Sequence, residues 1–136
     1  MTDQPKRFVR MFQPRFAPLV RSGQKCQTIR SWPARVPKVG DIIDCREWSG
    51  KPYRSKQISL IERPLVGVKR VRIEHDRAWD VLNEGGVYWS RISELDPFAK
   101  ADGFRDWDDL IEWFTANHAL PFEGILFEGI LLQWKF

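Results

Sequence analysis

Gly23-Gln24-Lys25-Cys26-Gln27-Thr28-Ile29-Arg30 sets an amine, a hydroxyl and a guanidinium within six residues of one another. Glycine at position 23 predicts the stop of a helix over Pro14 to Ser22, because glycine takes the left-handed conformation there without steric cost. The segment after it is therefore a bend. Bends at element ends aim several polar side chains at one point, whereas a helix interior spreads them around its axis. A threonine hydroxyl is a poor nucleophile until a base removes its proton. Lysine serves as that base only when desolvation or neighbouring cations bring its pKa down from about 10.4. Arg30 pushes Lys25 in that direction, and its fork of donors suits a carbonyl or phosphate group. From spacing alone the ordinary reading is a surface Lys and Arg, with Thr28 bonded to local backbone. Position does not decide between the two.

Upstream of this bend, Arg7 to Phe12 carries the apolar pairs of a short strand. Phe16, Leu19 and Val20 fall at i, i+3 and i+4 of the helix and give it one apolar stripe, with Pro14 suited to its first turn. Downstream, Ser31 to Val39 holds Pro33 and Pro37 with Arg35 and Lys38, the composition of a basic loop. Gly40-Asp41 turns into a strand over Ile42 to Trp48. A second strand over Ser55 to Glu62 makes a hairpin with it through Ser49-Gly50-Lys51-Pro52. In Leu65 to Glu74 the alternation changes phase at Lys69-Arg70, which predicts a bulge or bend of the kind that small barrels need to close.

Arg77 to Gly86 reads as a short helix and Val87 to Ile92 as a brief strand. Ser93 is a candidate cap for a turn through Phe98 to Ala101. Asp106 is the expected cap of a helix whose Trp107, Leu110, Ile111 and Phe114 recur at helical spacing. A closing strand runs from Ile130 to Phe136 by alternation. The elements together predict an α+β domain.

A chain of 136 residues fits a single domain over 1–136, and seven tryptophans and nine phenylalanines predict an aromatic core. Cys26 and Cys45 stand in no metal-ligand spacing, and neither a signal peptide nor a long apolar run is present. Free thiols and a cytoplasmic location are expected, with no membrane partner. Residues 1–72 hold 17 Lys/Arg against 5 Asp/Glu, and residues 73–136 hold 5 against 13. Such polarisation marks either a surface that meets a polyanion or two halves that attract each other across the fold.

Other constellations are weaker. His75 and His118 lack Cys or carboxylate partners at ligand spacing, so each reads as a surface or structural histidine, and no metal is expected. No glycine-rich loop precedes a helix, which speaks against nucleoside triphosphate hydrolysis. Trp32, Trp48, Tyr53 and Trp89 interleave with Arg35, Arg46, Arg54 and Lys56. That mixture suits base stacking and phosphate binding, or simply a core.

The chain resembles the ASCH domains, which belong with the PUA-like folds. The resemblance rests on the helix with Phe16 and Leu19, on Gly23-x-Lys25-x-x-Thr28-x-Arg30 and on Pro37-x-x-Gly40-Asp41. It extends to Ala101-Asp102-Gly103-Phe104 before an aromatic helix and to a closing strand ending in Trp134. It covers about Phe12 to Trp134 and implies a small PUA-like β-barrel with flanking helices. Members are thought to bind RNA or nucleotides beside the signature, and one branch consists of amidohydrolases that deacylate N4-acylcytidine without a cofactor. Carried over by motif, Thr28 is the nucleophile, Lys25 the base and Asp102 the acid. The family has glutamate at the acidic position. With the shorter aspartate, either the backbone approaches more closely, Glu84 takes the role, or the site only binds.

The resemblance thus implies acyl transfer on an N4-acylcytidine-type nucleoside, with backbone amides after Gly23 or the Arg30 guanidinium stabilising the oxyanion. Arg54 is the candidate for a further substrate contact and Tyr53 for stacking on the base. A noncatalytic RNA-binding module is the second reading and a ribonuclease the third. A monomer is expected.

Overall fold

The computed structural model describes residues 4–80, 88–89, 92–118 and 125–136. In chain order these form β1 (Arg7–Met11), α1 (Ala17–Ser22), β2 (Gln27–Arg30), β3 (Ile42–Trp48), β4 (Gln57–Glu74) and β5 (Arg77–Asp80). They continue with β6 (Tyr88–Trp89), α2 (Ile92–Ala101), α3 (Trp107–Asn117) and β7 (Ile125–Trp134). The fold is α+β with a mixed sheet: β1 runs parallel to β3, and the other pairs are antiparallel.

The long strand β4 organises the molecule. Its first half pairs with β3 and its second half with β7 and β5, while β7 in turn pairs with β2. Gln57 to Glu74 is one strand of 18 residues, not the two expected from the sequence. Its register shifts lie opposite Cys45/Arg46 of β3 and, against β7, at Leu65/Gly67 and Ile73/Glu74, not at Lys69-Arg70. Ile61, Leu65, Gly67, Val71 and Ile73 all turn toward the core, so the odd-numbered face persists through the bend. Val66 is the extra residue where β4 exchanges β3 for β7, and it is exposed. The side chain of Gln133 fills the space above Gly67, where a Cβ would overlap it.

Among the described residues, β1, β2 and β6 each pair with one strand only. The expected barrel is therefore not closed. The partner exchange along β4 splits the sheet into two arms that share one strand, and no described pairing joins β1 to β2.

Local signals fixed the helix ends. Gly23 closes α1 with φ 87°, in the left-handed region. The helix itself begins at Ala17, with Pro18 in its first turn, while residues 14–16 form a turn. Asp106 caps α3 by accepting the Asp109 N–H at 2.8 Å. Helix α2 starts at Ile92, one residue before the expected Ser93 cap, and Arg77 to Asp80 is strand where a helix was expected. Residues 81–86, which complete that expected helix, lie outside the described residues.

The core is aromatic, with Phe12, Phe16, Phe98, Phe104, Trp107, Phe114, Phe127 and Trp134 buried. Strand β7 starts earlier than its alternation suggested and ends at Trp134. Leu131 and Leu132 are both fully buried, so its end is covered on both faces and alternation there carries little information. The two charged halves meet in the fold: Arg15 pairs with Asp109, Lys25 with Asp102, and Arg70 and Arg72 with Glu128. Both cysteines are free, and no described helix is long and apolar enough to cross a membrane.

Candidate active site

The bend after α1 is built by backbone bonds that leave its side chains no choice of direction. Lys25 N–H donates to Leu19 O at 3.0 Å and Cys26 N–H to Ala101 O at 2.9 Å, which ties the bend to α1 on one side and to α2 on the other. Cys26 O accepts from Trp134 N–H at 3.0 Å, and β2 then pairs with β7 from Gln27 to Arg30. Strand alternation puts Thr28 and Arg30 on one face. Arg30 Nε donates to Thr28 Oγ1 at 2.9 Å, and a terminal nitrogen of Arg30 donates to Met11 O at 2.7 Å.

Lys25 and Asp102, 77 residues apart in sequence, meet inside the protein. The Lys25 amine donates to the Asp102 main-chain carbonyl and lies 3.7 Å from Asp102 Oδ1. Gly103 allows this approach. It adopts φ 95°, and a Cβ there would stand 2.9 Å from Lys25 Cδ and 3.0 Å from the Phe16 ring. The ammonium also rests 5.0 Å from the Phe16 ring centre and 5.8 Å from that of Phe12, and Arg30 lies 4.8 Å from the latter.

Lys25, Thr28 and Asp102 are each 3% exposed, and that burial sets their protonation. Loss of solvent brings the Lys25 pKa down from 10.5 to about 8, with Arg30 adding to the fall and Asp102 opposing it. The same loss raises the Asp102 carboxyl from 3.8 to about 6 against the pull of Lys25, Gln27 and Arg30. Burial and Arg10 lower Arg30 to about 10, and burial pushes the nearby Cys45 thiol up to about 12, which keeps it neutral.

Lys25, Thr28, Arg30 and Asp102 line one pocket of about 250 Å³, walled by Phe12, Phe16, Phe104, Trp113, Phe114 and His118. The volume is slightly below the range of ~300–1,000 Å³ usual for ligand pockets, a size for a small planar group. Of the two oxyanion donors expected from the sequence, the bend amides of Lys25 and Cys26 are already bonded to Leu19 O and Ala101 O. The Arg30 guanidinium, whose Nε and one terminal nitrogen donate to Thr28 Oγ1 and Met11 O, is the other.

Arg54 and Tyr53 lie elsewhere, in the turn between β3 and β4. Tyr53 is 89% exposed with φ 62°, and its ring is 5.2 Å from that of Trp48. It borders a second pocket of about 280 Å³, which shares Met11, Phe12 and Gln13 with the first. The Arg54 side chain is exposed and does not line the first pocket. Glu84 lies outside the described residues.

Sequence reasoning missed Gln27, Trp113 and His118. Trp113 stands three residues after Leu110, at the edge of the apolar stripe of α3 that marks Phe114. His118, which read as surface or structural, borders the pocket with its ring 5.3 Å from Phe114 and 4.6 Å from Phe127, and burial lowers its pKa. Neither residue has a local sequence signal for this role, because the α3–β7 packing brings them there. Comparison with family models, with curated proteins and with solved structures found no match.

Proposed function

We propose that this protein is an amidohydrolase of the ASCH type that removes acyl groups from the exocyclic amine of N4-acylcytidine-type nucleosides. The observation that carries the reading is the convergence of Lys25, Thr28, Arg30 and Asp102 on one aromatic-walled pocket, with burial drawing the Lys25 amine toward neutrality. In this reading the open sheet is a variant of the PUA-like barrel, with α1, α2 and α3 as its flanking helices.

Each residue then has a chemical task. A planar base enters between the aromatic walls and presents its amide carbonyl to Thr28. Neutral Lys25 takes the hydroxyl proton as Thr28 Oγ1 forms a bond to the carbonyl carbon, and Arg30 receives the negative charge that develops on the carbonyl oxygen. The tetrahedral intermediate collapses by breaking the C–N bond. The departing cytosine amine takes a proton from the Lys25–Asp102 pair, which leaves an acyl ester on Thr28. Water, deprotonated by the same pair, attacks that ester and releases the carboxylic acid and the Thr28 hydroxyl. Asp102 serves as the second member of the pair by facing the Lys25 ammonium, which holds the proton between these steps because its pKa of about 8 lies above that of Asp102, about 6.

The test is the ultraviolet spectrum over time of N4-acetylcytidine mixed with the protein and, in parallel, with Thr28→Ala. Conversion to cytidine by the unsubstituted protein alone is expected. No conversion across several acyl groups would overturn the reading. A second reading, an RNA-binding module without catalysis, is favoured by the exposed turn that carries Lys51, Arg54 and Lys56 beside the Trp48 and Tyr53 rings. It predicts RNA affinity that falls steeply with salt, and salt-insensitive or absent binding counts against it.

A further inference from the structure

Three hydrogen bonds stitch the last turn of α2 to the segment entering β2. Lys25 Nζ donates to Asp102 O, Cys26 N–H to Ala101 O at 2.9 Å, and the Gln27 side-chain amide to Phe98 O at 3.4 Å. The last of these is not demanded by either element. Gln27 is 3% exposed, and burying an amide costs about 1–3 kcal/mol unless its hydrogen bonds are replaced. An apolar side chain would fill the same space without that cost.

The other end of Gln27 is held as well. Gln133, its partner in the β2–β7 register, donates Nε2 to Gln27 Oε1 at 3.3 Å. Gln133 in turn occupies the space that Gly67 leaves open on β4. A line of contact therefore runs from β4 through Gln133 and Gln27 to α2. It ends one turn below the acid, because the Phe98 carbonyl that Gln27 binds also accepts the Asp102 N–H at 3.3 Å.

Asp102 needs such a constraint. Its carboxyl is buried, and among the described residues Oδ1 accepts no hydrogen bond, with the Lys25 amine at 3.7 Å and the Gln27 side chain acting on the carboxylate. The charged groups facing it are Lys25 from the bend and Arg30 from β2. Cys45 of β3 is a neutral thiol near the pair, and His118 at the end of α3 borders the same pocket. None of these sets the end of α2, the helix that Asp102 directly follows.

We infer that Gln27, braced by Gln133, is a positioning residue that fixes the last turn of α2 against β2 and so holds the Asp102 carboxylate facing Lys25. The inference rests on the proposed role of Asp102 as the carboxylate partner of Lys25. The favourable interaction of the Gln27 amide with the charged form of Asp102 agrees with it.

The experiment follows the Asp102 carboxyl by carbon NMR across pH in substrate-free protein, for the unsubstituted chain, Gln27→Leu and Gln133→Leu. Gln27→Leu is expected to raise the Asp102 midpoint by about one pH unit, tenfold in proton affinity, and Gln133→Leu to raise it by less. The additional fall of kcat on N4-acetylcytidine below about pH 6, where Asp102 takes up its proton, should move with the midpoint, while KM changes by less than about twofold. A folded Gln27→Leu whose Asp102 titrates as in the unsubstituted protein overturns the inference. If Gln27→Leu does not fold, an unmoved midpoint in Gln133→Leu does the same. Because the titration needs no substrate, absent turnover with a shifted midpoint counts against the proposed reaction alone.

Discussion

The bend before β2 and the turn between β3 and β4 carry similar residues, and the fold uses them in opposite ways. Lys25, Thr28 and Arg30 in the first resemble Lys51, Ser55 and Arg54 in the second. Lys25 is 3% exposed and faces a carboxylate across a pocket, whereas the side chains of Lys51 and Arg54 stand in solvent. Burial draws the Lys25 amine toward neutrality by penalising its charged form. Residue type supplies the potential for chemistry, and desolvation decides where it is realised.

The sharpest way to break this comparison is Thr28→Ala, which removes the proposed nucleophile. Deacylation of N4-acetylcytidine is expected to fall by at least about a thousandfold, because the residues of such a set act as a unit. Circular dichroism should show an intact fold. A retained rate would move the chemistry away from the bend altogether.

Lys25→Met keeps the stem that packs on Gly103 and Phe16 but deletes the amine. Turnover should drop by about 10²–10⁴-fold, the usual contribution of a general base. Stability should fall too, because Asp102 is left buried without its partner, an arrangement that costs up to about 3–5 kcal/mol when the charge persists. Adding Asp102→Asn should recover part of that stability and none of the activity. Chemical denaturation of the three proteins at pH 7 reads both effects. A double variant no more stable than Lys25→Met would argue that the pair is not what burial acts on.

The pair also fixes a pH dependence whose sign differs from that of an ordinary surface salt bridge. The folded Asp102 binds its proton up to about pH 6, above its ordinary 3.8, so the folded state holds more protons than the unfolded one between those values. Its contribution to stability therefore declines as pH rises from about 4 to 6. Folded Lys25 loses its proton near pH 8, below its ordinary 10.5, so there the unfolded state holds more. That contribution recovers as pH rises from about 8 to 10.5. The stability of the unsubstituted protein relative to Lys25→Met/Asp102→Asn should thus be lowest between about pH 6 and 8 and rise on either side. A difference that peaks in that window would show the pair to be well solvated. The deacylation rate should climb toward pH 8 as neutral Lys25 accumulates.

What the sequence made legible were features decided within one turn of chain. Gly23 ends α1 because its φ suits glycine, and Asp106 caps α3 through its own side chain, whereas Gln27 to Arg30, read as part of a bend, is strand β2, whose alternation puts Thr28 and Arg30 on one face. The meeting of Lys25 with Asp102 came from resemblance, and its physical reason, the space Gly103 leaves for the lysine stem, appears only in three dimensions. Val66 misled the reading of β4 because an apolar residue at a partner exchange looks like a change of phase. The histidine and tryptophan walls were illegible for a related cause: residues on α3 reach the pocket only because α3 packs beside β7.

The smallest effects belong to the exposed turn, and they test the comparison from its other side. Arg54→Ala should change the turnover of a free nucleoside by less than about twofold and stability by less than about 0.5 kcal/mol, as for surface substitutions generally. Tyr53 is a finer case. Its left-handed backbone costs about 1–2 kcal/mol in a residue with a Cβ, and against this stands its ring contact with Trp48. Tyr53→Gly removes both, together with the lower unfolded-state entropy of a non-glycine residue, so the melting temperature should shift by no more than a few degrees. Turnover of the free nucleoside should stay within about twofold. A large loss of turnover in either variant would show that the turn reaches the substrate, and the contrast between buried and exposed cations would then no longer describe where this protein does its chemistry.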